Sequence, residues 1–216
     1  MMWPPLPVRA NDTDKSRMGR VLVIAGSRGM AGAAVLCAEA ALRTGCGYVY
    51  VATVGAIAPE LTAAVPTAIL RCTNDREQAQ LTNVDLALLI DASSHVDAVI
   101  VGPGLGDGVE AWLGELLERV DTPMVLDADA LNAIAREPRL LAFLDDRHVI
   151  TPHAGEAARL LGWGNHRERV EGDRLGAVEQ LCTMTAATVV MKGAGTLVAQ
   201  RGRNVHVNPT GNAGLA

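Results

Sequence analysis

Residues 20–44 read RVLVIAGSRGMAGAAVLCAEAALRT, and this stretch decides the fold class. It opens with an apolar, largely β-branched run at Val21–Ala25, passes through a glycine-rich loop, and continues with helical spacing over Ala31–Thr44. A continuous apolar strand is typical of a sheet that is covered on both faces. The order of strand, glycine loop and helix therefore predicts the start of a right-handed βαβ unit in a parallel sheet.

The same alternation continues along the chain. Further strands are predicted at Tyr48–Thr53, Asp97–Val101, Pro123–Asp127, His148–Thr151 and Thr188–Lys192. Further helices are predicted at Val109–Val120, Ala128–Ala135, Gly155–Leu161 and Leu175–Thr185. Thr196–Gln200 and Asn204–Asn208 flank Arg201-Gly202-Arg203, which predicts a hairpin. Residues 56–94 show no clear pattern. We expect a loosely ordered lead-in over residues 1–17, followed by one three-layer α/β/α domain with a mostly parallel sheet over residues 18–216.

Composition narrows the function classes. The chain has 216 residues, is 49% hydrophobic and 20% charged, and carries a formal net charge of −5. This acidic balance argues against a general nucleic-acid binder, and no apolar run approaches the ~18 residues of a membrane helix. The four cysteines lack metal-ligand spacing, and the histidines do not cluster with them or with carboxylates, so we predict no structural metal site. The composition therefore predicts a soluble globular protein, with the reducing cytoplasm as the default compartment.

The first loop, Gly26-Ser27-Arg28-Gly29-Met30-Ala31-Gly32, could bring backbone N–H groups close to an anion at a helix N-terminus. Its Gly-x-x-Gly-x-x-Gly spacing is close to the dinucleotide fingerprint Gly-x-Gly-x-x-Gly. However, the second strand reads Tyr48-Val49-Tyr50-Val51-Ala52-Thr53-Val54 and lacks the acid that binds a ribose. Hydride transfer is therefore disfavoured, and a purely packing role for the glycines stays open.

Other polar or glycine-rich loops also follow predicted strands. They are Gly102–Gly106, Asp127–Asn132, Thr151–Glu156 and Lys192–Thr196. Because loops at the carboxyl ends of parallel strands share one edge, they predict a long ligand cleft. Each has a simpler alternative: Asp127, Asp129 and His153 could cap helices, and Lys192 could be a solvated surface charge. The mixed charges of residues 167–174 predict a solvated face.

These segments, in this order, resemble the ADP-dependent NAD(P)H-hydrate dehydratases, a branch of the ribokinase-like superfamily. The similarity is carried by Gly19–Ala34, Gly102–Gly106, Asp127–Asn132, Thr151–Glu156, Val190–Thr196 and Asn208–Gly214. The resemblance implies a ribokinase-like sandwich, commonly a homotetramer. It also implies removal of water from the S-epimer of NADH or NADPH hydrate, with ADP or ATP as phosphoryl donor and Mg²⁺ as the metal.

Site residues follow from the same resemblance. It places Ala33, Ala34, Gly106 and His153 at the hydrate, and Lys192, Gly193, Ala194, Gly195 and Thr196 at the nucleotide phosphates. Asp129, Asn132, Asn208 and Asn212 are implied as supporting residues.

The sequence departs from the family pattern at three places. Ala154 replaces the proline that follows the motif histidine, and Asp14-Lys15 stands where His-Lys is usual. The family continues after the loop at residues 208–214 into a Thr-Ala-Gly-Thr-Gly-Asp segment, whose glycines form an anion hole and whose aspartate is the expected base. The resemblance thus places the catalytic aspartate beyond Ala216, the last residue of this sequence. Residues 1–216 contain neither the anion hole nor the base, so we expect this chain alone to be nearly inactive and to expose apolar sheet surface.

Two other hypotheses stay open from the sequence. One is a kinase for a small hydroxylated metabolite, which would leave a stable phosphorylated product. The other is a non-catalytic nucleotide-binding protein or fragment. A natural tail is a further, less favoured interpretation of the loop at the end of the chain.

Overall fold

The computed structural model describes residues 8–211, and within them nine strands form one sheet in the order β3-β2-β1-β4-β5-β6-β7-β8-β9. The strands are β1 Arg20–Ile24, β2 Tyr48–Thr53, β3 Ile69–Cys72, β4 Ala98–Val101, β5 Met124–Leu126, β6 His148–Ile150, β7 Thr188–Met191, β8 Thr196–Ala199 and β9 His206–Asn208. Strands β1 to β7 pair in parallel, and β8 and β9 extend the sheet as antiparallel strands. The predicted mostly parallel sheet and the β8–β9 hairpin are confirmed.

Eight α-helices connect the strands in this part of the chain. They are α1 Ala31–Thr44, α2 Ala58–Ala64, α3 Leu86–Ser93, α4 Glu110–Arg119, α5 Asp129–Arg136, α6 Ala154–Leu160, α7 Arg167–Gly172 and α8 Arg174–Met184. Helix α1 has the predicted bounds, and it ends at Gly45, whose left-handed φ of 93° suits glycine. The predictions missed β3, α2 and α3 in residues 56–94.

The helices lie on both faces of the sheet. Helix α1 packs on β1, β2 and α2, whereas α3, α4, α5 and α6 pack one beside the next and α8 packs on β7 and β8. Since parallel crossovers are right-handed, connections that run toward β3 and those that run toward β7 lie on opposite faces. The result is the expected three-layer α/β/α sandwich.

The core is centred on the middle strands. Leu22, Val101, Leu126 and Ile150 have no exposed surface, and Trp112 of α4 is also fully buried. Burying one such aliphatic side chain contributes roughly 2–3 kcal/mol, against at most about 1 kcal/mol for an exposed ion pair. Apolar burial between sheet and helices is therefore what holds the parallel strand ends in place.

Alternate residues of the same strands are less covered. Ile100, Val125 and Val149 lie side by side in register, and Val190 pairs with Val198. All five are only half-buried, whereas their neighbours Val99, Val101, Met124, Leu126 and Ile150 are buried. This row is less covered than its neighbours but not exposed, and the expectation that the chain exposes apolar sheet surface stays a prediction.

The charge run at residues 167–174 is not simply a solvated face. Helix α7 forms there and buries Val170 completely, while Arg169 stacks 4.1 Å from the ring centroid of Trp163. Arg174, the last residue of the charge run and the first of α8, is half-buried and donates to the backbone carbonyl of Met191. The prediction was wrong for Val170 and Arg174, because a single buried apolar side chain and a long-range backbone contact leave no periodic signal in the sequence.

The lead-in is described from residue 8. It forms one 3-10 turn at Lys15–Arg17, which Asp14 caps by accepting the N–H of Ser16. The ammonium of Lys15 lies 5.0 Å from the ring centroid of Tyr48, at the amino end of β2. The division into a loosely ordered lead-in and one domain remains a prediction.

Candidate active site

The predicted loops meet at one edge of the sheet. Strands β1 to β7 all end there, and the antiparallel hairpin returns to the same edge because Thr196 at the start of β8 pairs with Asn208 at the end of β9. The shared edge predicted from the strand order is thus confirmed as a row of neighbouring loops, and the ligand cleft stays a prediction.

Two of the sequence predictions concern the last residues of the chain. The support residue Asn212 and the terminal Ala216 both lie outside the described residues, which end at 211. The structure therefore does not test the expectation that the catalytic aspartate lies beyond Ala216, and that expectation stays a prediction.

The loop after β4 packs directly on the start of α1. Gly26 N–H donates to the Pro103 carbonyl at 2.9 Å, which ties the first glycine loop to the second. A Cβ atom at Gly104 would lie 2.8 Å from the Cβ of Ala33, and the φ of Gly104 is 68°. A glycine is therefore required at 104 for this close approach. The neighbouring Ala34 has no exposed surface, backbone included.

Gly106 is held by groups from two other loops. Its N–H donates to Asp129 Oδ2 at 2.9 Å. A Cβ atom at Gly106 would lie 2.8 Å from Gln80 Oε1, and Gln80 Nε2 donates to the Asp107 carbonyl at 2.9 Å. Sequence reasoning missed Gln80, because it belongs to residues 56–94, which show no periodic pattern.

Asp129 and Asn132 do more than begin a helix. Asn132 Nδ2 donates to Asp129 Oδ1 at 3.3 Å, and Arg159 Nε of helix α6 donates to Asn132 Oδ1 at 3.0 Å. The two predicted support residues therefore link the Gly106 loop to α6. Arg159 was not predicted, since nothing in its sequence spacing distinguishes it from a surface arginine.

Between Asp127 and Asp129 lies Ala128, the residue other than glycine with positive φ in residues 8–211, at φ 49°. This sparsely populated conformation turns the two carboxylates toward different partners. Asp129 faces the Gly106 loop, whereas Asp127 faces Lys192.

Lys192 is an ion-paired lysine. Its Nζ lies 2.6 Å from Asp127 Oδ1 and 3.8 Å from Glu156 Oε2, and its side chain is 40% exposed. The carboxyl group of Glu156 is nearly inaccessible, with 6% of its side chain exposed. One lysine thus joins the ends of β5, β6 and β7. The sequence predicted the cation but not that two carboxylates would compensate it.

His153 caps helix α6, as the simpler alternative supposed. Its Nδ1 accepts the N–H groups of Gly155 at 2.9 Å and Glu156 at 3.3 Å, and Glu156 Oε2 accepts the N–H of His153 at 2.8 Å. In the neutral ring, an accepting Nδ1 leaves the proton on Nε2. The side chain remains 54% exposed, so capping and ligand contact are compatible.

The hairpin loop between β7 and β8 is built for close backbone approach. Gly193 and Gly195 have φ values of 139° and 64°, which favour glycine. Lys192 N–H donates to the Pro152 carbonyl at 2.8 Å, and Thr196 Oγ1 donates to the Gly193 carbonyl at 3.0 Å. The hydrogen bonds of the described chain include none donated by the N–H groups of Gly193, Ala194 or Gly195. Backbone N–H groups that no protein acceptor engages are available to bind an anion.

The sequence profile described as NAD(P)H-hydrate dehydratase matches residues 21–216, nearly the whole chain. The chain belongs to the NAD(P)H-hydrate dehydratase family. The resemblance inferred from the ordered loops is thereby confirmed.

Named relatives agree with this assignment. The chain is 40% identical over 214 residues to the ADP-dependent (S)-NAD(P)H-hydrate dehydratase of Neisseria meningitidis, covering 96% of this chain and 67% of that one. It is 39% identical over 217 residues to the bifunctional NAD(P)H-hydrate repair enzyme Nnr of Coxiella burnetii, of which it spans 41%. This member of the family thus spans about two fifths of the bifunctional relatives that it matches.

Solved structures confirm the ribokinase-like fold. A ribokinase-like superfamily protein of Enterococcus faecalis superposes with a TM-score of 0.77 at 25% identity, over 96% of this chain and 68% of that one. The ADP/ATP-dependent NAD(P)H-hydrate dehydratase of Bacillus subtilis, co-crystallised with ATP/Mg²⁺, gives a TM-score of 0.74 at 25% identity, over 97% and 70% of the two chains.

Among the described residues, side chains alone do not form a site for the Mg²⁺ that the family resemblance implies. Among residues 8–211, no three His, Cys, Asp or Glu side chains cluster, and Asp127 and Asp129 are engaged with Lys192 and Gly106. Mg²⁺ is commonly held by substrate phosphates with few carboxylates. In the same range, none of the helices is long and apolar enough to cross a membrane.

Proposed function

We propose that the protein dehydrates the S-epimer of NADH or NADPH hydrate with ADP or ATP as phosphoryl donor. The observation that carries the proposal is that two different groups of glycine-containing loops share one sheet edge in a chain of this family. One is the packed glycine cluster around Gly104 and Gly106, and the other is the hairpin loop at Lys192–Thr196. A reaction between a hydrate and a nucleotide needs two such subsites.

The subsites are suitably spaced for two ligands. Gly104 follows β4 and Gly193 follows β7, three strand positions away, which corresponds to about 14 Å between strand axes. The ends of β5 and β6 lie between them and carry Asp127, Asp129 and His153. The reacting ends of the two ligands would meet above these residues.

On the hydrate side, we assign Ala33, Ala34, Gly106 and His153. The close packing of Ala33 against Gly104 leaves a smooth backbone surface, against which a flat ring can lie. The imidazole of His153 is 54% exposed, so it can contact a polar group of the ligand although its Nε2 also lies 3.4 Å from Glu156 Oε1. Ala34 has no exposed surface, so its assigned role is to support the surface formed by its neighbours rather than to touch the ligand.

On the nucleotide side, the phosphates are bound chiefly by backbone N–H groups of Gly193, Ala194 and Gly195. Lys192 carries one positive charge, but the carboxylates of Asp127 and Glu156 face it. Its principal effect is to keep two negative charges from repelling the phosphates. Asn208 at the end of β9 lies beside this loop through its pairing with Thr196.

The chemistry consists of transfer and elimination. The hydroxyl oxygen of the hydrate attacks the terminal phosphorus of ADP or ATP, AMP or ADP leaves, and the hydroxyl proton passes to a base. The C–O bond then breaks, phosphate leaves, and loss of a proton from the neighbouring carbon restores the dihydronicotinamide ring. Mg²⁺ bound to the phosphates would neutralise their charge. Residues 8–211 bind and orient the two substrates.

We also propose a cytoplasmic location and a homo-oligomeric assembly, a homotetramer by family resemblance. All four cysteines are free thiols, which suits a reducing compartment. Sedimentation analysis of the purified protein tests the assembly.

Turnover is tested by incubating NADH hydrate or NADPH hydrate with ADP or ATP and Mg²⁺ and following the dihydronicotinamide absorbance. The polypeptide used should continue through a Thr-Ala-Gly-Thr-Gly-Asp segment, because the resemblance assigns the base to it. Return of absorbance together with AMP or ADP and phosphate is expected. A stable phosphorylated product without absorbance would indicate a small-molecule kinase instead, and nucleotide binding without any product would indicate a non-catalytic binding protein.

A further inference from the structure

Arg174 holds the loop between β7 and β8, residues 192–195, through hydrogen bonds to its backbone. It is the first residue of α8, and Asp173 fixes this helix start by accepting the N–H of Gly176 at 2.8 Å. Arg174 Nη2 donates to the carbonyls of Met191 and Gly195, both at 3.3 Å, and Nη1 donates to the carbonyl of Lys192 at 3.5 Å. One guanidinium therefore donates hydrogen bonds to carbonyls on both sides of the loop.

The same contact explains the glycine at 193. A Cβ atom there would lie 2.5 Å from Arg174 Nη1 and 3.2 Å from Cζ. The guanidinium thus occupies the side of the loop on which a side chain would stand. When the loop carbonyls point toward the guanidinium on one side, the loop N–H groups are left for the other side. An anion can bind to N–H groups arranged in this way.

Charge makes Arg174 more suitable than Lys192 as a source of positive potential. Lys192 faces the carboxylates of both Asp127 and Glu156, so that these three groups sum to −1. Arg174 forms no ion pair within residues 8–211. The uncompensated cation nearest to the loop backbone is therefore the guanidinium of Arg174.

We infer that Arg174 is a positioning residue for the phosphates of a nucleoside diphosphate or triphosphate. Its guanidinium orients the backbone of residues 192–195 and supplies the charge that the ion-paired Lys192 does not. This inference rests on the proposed nucleotide role of the hairpin loop. Arg174 acts through the loop backbone and touches no reacting atom.

The test compares Arg174→Lys with Arg201→Lys by calorimetric titration of ADP and, separately, of NADPH. Lysine keeps the charge but lacks the planar fork that reaches several carbonyls at once. Arg201 is the matched control, because its guanidinium also holds backbone carbonyls, those of Cys182 and Thr183, near the opposite edge of the sheet. Thermal melts of each variant report on general stability.

We expect Arg174→Lys to weaken ADP binding by about tenfold or more, the loss typical of hydrogen bonds to a charged group. Binding of NADPH should stay within about twofold, and Arg201→Lys should match the parent protein for both ligands. Unchanged ADP affinity in Arg174→Lys would refute the inference while leaving the proposed function intact. An equal loss for ADP and NADPH would also refute it, since that indicates general destabilisation. If the parent protein itself binds no ADP, the proposed function fails first.

Discussion

Lys192 Nζ and Asp127 Oδ1 are 2.6 Å apart although 65 positions separate the two residues in sequence. This contact joins the ends of β5 and β7 across the intervening strand β6. It also turns a lysine expected to meet phosphate directly into the centre of an ion-paired group with Asp127 and Glu156.

Replacing Lys192 by alanine should weaken ADP binding at least about tenfold, because two carboxylates would then face the phosphates without a compensating charge. Isothermal titration of ADP or AMP measures this. Lys15→Ala is the control, since the only other lysine lies against Tyr48 at the amino end of β2. Equal affinities in the Lys192→Ala and parent proteins would remove Lys192 from the nucleotide site.

Replacing Gly106 by valine should abolish the rise in melting temperature that NADPH or NADP produces. The φ of Gly106 is 83° and the added Cβ would meet Gln80 Oε1 at 2.8 Å, so the loop must shift. Backbone strain alone costs about 1–2 kcal/mol. Gly202→Val carries similar strain at φ 74° in the distant β8–β9 turn, with no atom within 4 Å of its Cβ. If both variants keep the same ligand-induced shift, Gly106 does not line the site.

Asn132→Asp should weaken NADPH binding more than ADP binding. The change removes the amide that donates to Asp129 Oδ1 and places a second carboxylate beside it, so Asp129 loses the orientation that holds Gly106 N–H. We expect a loss of several-fold for NADPH, of the order of one hydrogen bond of about 1 kcal/mol. Calorimetric titration of both ligands measures the ratio. An equal or larger loss for ADP would contradict this role.

His148 should make stability fall in mild acid. The side chain is 1% exposed, and burial lowers its pKa below the ordinary value, an effect that the nearby Asp145 only partly offsets. In mild acid, His148 therefore binds a proton more readily in the unfolded chain than in the folded chain. Stability should decrease as the pH falls from the unfolded value, about 6.5, toward the lowered folded value, by at most about 1.4 kcal/mol per pH unit.

Urea unfolding at pH 7 and pH 5 measures this effect, and His148→Gln should reduce the difference. His95→Gln is the control, because His95 is exposed. Asp145, whose pKa is lowered to about 2, adds its own loss only as the pH falls below about 4. A His148→Gln protein with the same pH dependence as the parent would show that this histidine is not responsible.

The sequence predicted best where a long apolar period or a chain-local motif was present. Helix α1 was predicted with its observed bounds, and the loops after β4, β5, β6 and β7 do share one edge. Strand β3 was missed because Ile69–Cys72 is a half-exposed edge strand without the apolar continuity of the central strands. Gln80, Arg159 and Arg174 were missed because each acts through contacts with distant backbone or side chains, which one sequence cannot reveal.

The central claim is that one sheet edge carries a nucleotide subsite and a separate hydrate subsite. Amide-resolved NMR titration of the isotope-labelled protein with ADP and, separately, with NADPH tests it most directly. ADP should shift the amide signals of Gly193, Ala194, Gly195 and Thr196, and NADPH should shift those of Ala33, Gly106 and His153. Shifts by both ligands at the same residues, or at neither group of residues, would contradict the account.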